Sequence, residues 1–213
     1  MPDTMAPPPI KPDWSKTTEY RLMLSGQQVQ FVVPGNMADD YPSTLEISPN
    51  INIYDTNLYG DWKRYEIADV WWYYKKRVLL IMPERLGTLA LKIAIYAPDD
   101  GGDLFEESQL ETAIIKLFKE AYPDKEDQNR VPYNFDYLNI NGANWSQYVK
   151  KGRNPVDDRF CYSVPITSTH FLEVSFKVFG SYEHSEHNWY KAAQADIEKL
   201  INSFNVTYTP SQK

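Results

Sequence analysis

Cysteine, glycine, long apolar runs and positive charge are all scarce in this chain, and each scarcity removes a class of explanation. Cys161 is the only cysteine among 213 residues, so no internal disulfide can form and the redox compartment cannot be read from bridges. A lone thiol in an apolar run is expected to be a buried strand residue rather than a nucleophile. Only nine glycines occur, and none forms a phosphate-cradling loop, which argues against nucleotide chemistry. No apolar stretch nears the roughly 18 residues of a membrane span, and the start lacks the charged-then-apolar layout of a signal peptide. The 22 Lys and Arg are outnumbered by 29 Asp and Glu, giving a net charge of −7. No basic patch is visible along the sequence, which argues against a nucleic-acid partner and leaves a basic protein partner open. The densest cationic cluster, Lys75, Lys76 and Arg77, is expected to sit at a solvated hairpin tip.

What is present points to a packed globule. Hydrophobic residues make up 42% and aromatics 15%, which is too apolar for a disordered chain and supplies Tyr and Trp anchors for a partner. The expected organisation is a Pro-rich flexible lead over residues 1–18, one α+β domain over 19–208 and a polar tail over 209–213. The lead, with Pro7, Pro8, Pro9 and Pro12, resembles the tether of a bacterial lipoprotein, which implies a periplasmic or envelope-tethered protein; the alternative is a disordered cytoplasmic terminus.

Alternation predicts a hairpin from Tyr20 to Val33 turning at Ser25-Gly26, a short strand at Ile51 to Tyr54, and β runs at Val70 to Tyr74, Val78 to Met82 and Leu89 to Tyr96. In the last of these, Leu89, Leu91, Ile93 and Ile95 share one face. Ala90 and Ala94 on the other leave room for a helix. Leu110, Ala113, Ile114, Leu117, Phe118 and Ala121 supply that helix, with Asp103 and Glu106 spaced as a variant capping box and Pro123 as its stop. Four more strands are expected at Phe135 to Ile140, Trp145 to Val149, Phe160 to Ile166 and Phe171 to Phe179. Asn141-Gly142 makes a tight turn, and Glu173, Ser175 and Lys177 mark a wet strand face. A closing amphipathic helix spans about His187 to Phe204, before a short strand at Asn205 to Tyr208.

No catalytic motif emerges. Ser168 and His170 are near neighbours without a nucleophile-elbow pattern, and the pairs Asp39-Asp40 and Asp157-Asp158 read as hydrated turn residues. The best candidate metal ligands are His184, Glu186 and His187, whose residue types suit zinc although the spacing is not that of a zincin helix. A solvated helix entrance explains the same acidic residues through the helix dipole. Asp99, Asp100 and Asp103 form an acidic turn that lacks the alternation of a calcium loop. Of the run Trp71-Trp72-Tyr73-Tyr74, alternate rings enter the core, and Trp71 and Tyr73 are expected as partner anchors, the alternative being that a helix or the N-terminal segment covers them. The expected binding set is therefore Trp71, Tyr73, Asp99, Asp100 and Asp103, with no cofactor and no catalytic residue.

The order of hairpin, aromatic strands and long helix, followed by Asn141-Gly142-Ala143-Asn144-Trp145, Leu172 to Phe179 and a closing helix ending Ile201-Asn202-Ser203-Phe204, resembles the PsbP/DcrB superfamily over Tyr20 to Tyr208. The resemblance implies a twisted, mostly antiparallel central sheet flanked by two main helices. It also implies a non-catalytic adaptor: a photosystem accessory subunit, an envelope lipoprotein, a chaperone of type VI secretion effectors, or an immunity protein that neutralises a secreted toxic enzyme. The long Asn36 to Trp62 segment and the Pro-rich lead depart from the compact members. The resulting expectation is a non-catalytic bacterial protein-binding module, such as an immunity protein for a basic effector enzyme, with an envelope small-ligand or metal-binding lipoprotein, or an effector chaperone or adaptor, as the alternatives.

Overall fold

Two tight turns fix the pairing of the strands they join. Ser25-Gly26 (φ 49° and 99°) and Asn141-Gly142 (φ 50° and 86°) both place two consecutive residues in the left-handed region, the geometry that matches the twist of a two-residue hairpin. The first joins β1 (Asp13–Leu24) to β2 (Gln27–Gly35), and the second joins β6 (Asp136–Ile140) to β7 (Ala143–Lys150). The computed structural model describes residues 10–38, 48–78, 81–99, 102–124, 131–152, 158–180 and 188–209.

Among the described residues the fold is α+β. The remaining strands are β3 (Asn50–Ile51), β4 (Arg64–Val78), β5 (Ile81–Tyr96), β8 (Arg159–Pro165), β9 (Phe171–Gly180) and β10 (Asn205–Thr207), and the helices are α1 (Glu107–Ala121) and α2 (Asn188–Asn202). A six-stranded, wholly antiparallel sheet runs in the order β4-β5-β9-β8-β7-β6, and a second sheet of four runs β10-β2-β1-β3 with β3 parallel to β1.

Three expectations are corrected. The hairpin β1-β2 does not join the central sheet but seeds its own, completed by the short strand after α2. Its first strand starts at Asp13, inside the segment expected to be an unpacked lead. It is held there because the Trp14 indole donates to buried Asp196 on α2 at 2.8 Å. Where three β runs were read from Val70 to Tyr96, two long strands stand, paired out to Val78↔Ile81. Lys75 and Lys76 therefore pair with Arg85 and Glu84 within the ladder instead of forming its tip.

The alternation of β5 divides the large sheet. Leu89, Leu91, Ile93 and Ile95 join α2 and the small sheet in the main core, whereas Ala94 and Tyr96 join the buried α1 side chains Leu110, Ala113, Ile114 and Leu117. The small Ala94 thus receives α1, as its size suggests. On the α2 side, Gly87 and Gly180 lie opposite each other on β5 and β9, and Trp189 fills the notch they leave. A Cβ at Gly87 would stand 2.2 Å from the indole ring, so only glycine permits this approach. Phe204, stacked on Phe31 at 4.8 Å and edge-on to Trp145 at 5.9 Å, bridges the two sheets.

Candidate functional site

Cross-strand register sets the chemistry of the face that α1 covers. Directly paired residues point the same way, so Trp71, Ala90, Lys177, Arg159 and Lys150 form one row across β4, β5, β9, β8 and β7. Asp69, Lys92, Ser175, Cys161 and Tyr148 form the next row, and Glu66, Ala94, Glu173 and Ser163 the one after. α1 is a helix of 15 residues, about 22 Å long. It lies over the later rows and leaves the first open.

The uncovered part is a cleft of about 420 Å³ between the C-terminal turn of α1 and the sheet. Arg64, Lys92, Lys150, Lys151, Arg159 and Lys177 line it, against one carboxylate, Glu173. Phe118 and Tyr122 form the helix wall, Trp62 stands at the rim, and Ser175 lies on the floor. This corrects the expectation that no basic patch exists. Its members come from five strands and the loop after β7, so no stretch of sequence contains it.

Several of these cations are already paired. Lys92 reaches Asp69 at 2.6 Å, Arg64 reaches Glu66 at 2.7 Å and Lys151 reaches Asp158 at 3.0 Å. The deepest pair is Lys150 Nζ to Glu173 Oε1 at 2.7 Å, with Tyr148 Oη donating to Glu173 Oε2 at 2.5 Å. Burial alone would lower the Lys150 pKa, but the Glu173 carboxylate outweighs it and holds the ammonium charged. Burial, reinforced by Glu173, pushes the Tyr148 phenol far up and the Tyr96 phenol to about 12. Arg159 has no ion pair among the described residues, and Lys177 lies over the Phe179 ring at 5.1 Å.

The wet face read on β9 is thereby corrected: Glu173 and Ser175 are buried because α1 and the neighbouring rows enclose them, and Lys177 is only partly exposed. Cys161 lies fully buried in β8, where burial raises its thiol pKa against the opposing pull of Lys150. A protonated, enclosed thiol is a poor nucleophile.

The named binding residues separate. Trp71 stands in the cationic row, its indole donating to Asp69 at 2.7 Å and its ring edge-on to Phe179 at 5.1 Å. Tyr73 is only 6% exposed, covered by Arg85 at 3.9 Å and Lys75 at 4.7 Å, which leaves little of it for a partner. Asp99 pairs with Lys63 at 3.1 Å, and Asp103 accepts from the Phe105 amide at 3.1 Å just before α1. That bond replaces the expected capping box, since Glu106 is the N-cap residue and makes no side-chain cap bond. The aromatic pair lies seven or more residues along β4 from Arg64, near the acidic turn, or about 23 Å. Asp100, His184, Glu186 and His187 lie outside the described residues.

His170 accepts or shares hydrogen bonds with the hydroxyls of Thr167 and Thr169 and sits edge-on to Tyr54, with Ser168 absent from its partners. Among the described residues no group of three or more His, Cys, Asp or Glu side chains is placed to hold a metal, and no helix is long and apolar enough to cross a membrane. No protein-family model matches the sequence, and no curated protein matches it.

Proposed function

We propose that the chain is a non-catalytic binding module and that the cationic cleft is its recognition site for an anionic group. The observation that carries this is the row Lys150, Arg159 and Lys177, three cations directly opposite one another on adjacent strands. Like charges so placed destabilise a sheet unless they are neutralised; Glu173 neutralises Lys150, while Arg159, directly between Lys150 and Lys177, has no ion pair among the described residues. An incoming carboxylate or phosphate offsets that repulsion, and Arg159 offers the fork geometry that binds either.

The test exploits the net charge. A protein at −7 has no general reason to adhere to a phosphate-bearing resin. Wild type is expected to be retained at low salt and Arg159→Glu/Lys177→Glu to flow through. Flow-through of both would remove the cleft as an anion site.

A second reading, an immunity-type adaptor of PsbP/DcrB-like architecture that binds a basic effector enzyme, is favoured by the remaining surface. Outside the cleft, acids outnumber bases by 28 to 16. Tyr54 and Tyr133 are each more than half exposed, as partner anchors would be. Capture from native lysate should then recover one basic enzyme in stoichiometric amount, and its activity should fall on adding this chain. Recovery of no such enzyme would remove this reading and leave the first.

A further inference from the structure

We infer that the ligand of the cleft is a small planar aromatic anion, its acidic group held by the cleft's cations and its ring against Trp62 at the rim. This rests on the cleft being an anion site and adds the class of molecule. The first support is shape: about 420 Å³ of concave space suits a small organic molecule, whereas a flat protein surface would not need a cavity.

The second support is Trp62 itself. It is 59% exposed, yet it and Lys63 adopt φ of 66° and 53° inside the short turn Asp61–Lys63 that leads into β4. A bulky side chain in the left-handed region carries strain, and glycine or asparagine would hold this bend at lower cost. The indole makes no hydrogen bond and no ring stack among the described residues and belongs to neither hydrophobic cluster. Its position on the wall of a cationic cavity, with Tyr122 from α1 on the same lining, is what the strained conformation achieves. A ring there gains stacking, while its acidic substituent meets the cations below.

Calorimetry with phenyl phosphate and inorganic phosphate separates the ring from the charge. Phenyl phosphate should bind wild type about tenfold more tightly, the size expected of one aromatic stack. Trp62→Gly should abolish that preference while inorganic phosphate still binds. Glycine is at ease at this φ, so the variant should melt no lower than wild type, which a circular-dichroism melt checks. Equal affinity for the two anions in wild type, or a preference that survives Trp62→Gly, would overturn the ring subsite alone. Binding of neither anion would overturn the cleft reading beneath it.

Discussion

The two faces of the large sheet are built to different ends. The α2 face is apolar along its length: Leu89, Leu91, Ile93, Val174 and Phe176 pack with α2 and the small sheet into one core. The α1 face is apolar only beneath the helix, where Ala94, Tyr96, Cys161 and Phe171 lie, and becomes cationic where the helix stops. One face is closed by complementary shape, down to the glycine notch for Trp189. The other leaves a cleft lined by six cations and one carboxylate, and on the proposed reading the contrast separates residues kept for stability from residues kept for a ligand.

Substitutions on the closed face should cost the most. Trp189→Ala empties the notch over Gly87 and Gly180 and is expected to lower stability by about 3–5 kcal/mol in denaturant unfolding. The indole N–H has no partner among the described residues, so the loss comes from packing. At the boundary between covered and open halves of the α1 face, Glu173→Ala strips the partner from an enclosed ammonium and should cost about 3 kcal/mol. An unchanged midpoint would mean that Lys150 is open to water and the cleft wider than described.

A smaller loss is expected where the segment leading into the small sheet is clamped. Asp196 is buried and accepts from Tyr74 at 2.7 Å and Trp14 at 2.8 Å, so Asp196→Ala should cost about 1–3 kcal/mol and free the start of β1 to hydrogen exchange. Smaller again is a pH effect at His170. Burial lowers its pKa below the model-peptide value of 6.5, so the unfolded chain takes up the proton first. Stability is therefore complete above about pH 6.5 and declines as pH falls below it. His170→Asn should flatten that part of the pH profile; an unaltered slope would place the titrating group elsewhere.

Much of the fold was legible because its signals are local. Asn141-Gly142 and Ser25-Gly26 are turn pairs with a fixed hand, β6 to β9 alternate within their own sequence, and the stripes of α1 and α2 recur at helical spacing. The second sheet was not legible, since β10 reaches β2 only through the tertiary placement of α2. Trp71 was visible as an outward ring in an aromatic strand; it shares the register row of the cations but does not line the cleft. Lys150, Arg159 and Lys177 were not: each is an ordinary charged residue near a strand end, and only the register of three strands sets them abreast. The one sequence signal was Lys177 on the polar phase of β9, which marked a face without showing what lay beside it.

The smallest stability effect carries the most weight. Arg159→Ser/Lys177→Ser removes two of three abreast cations, and both denaturant unfolding and retention on a phosphate-bearing resin should be measured on it. The expected result is stability equal to wild type or higher by up to about 0.5 kcal/mol, with retention lost. A variant that is clearly less stable, or that is still retained, would contradict the claim that this row is kept for a ligand rather than for the fold.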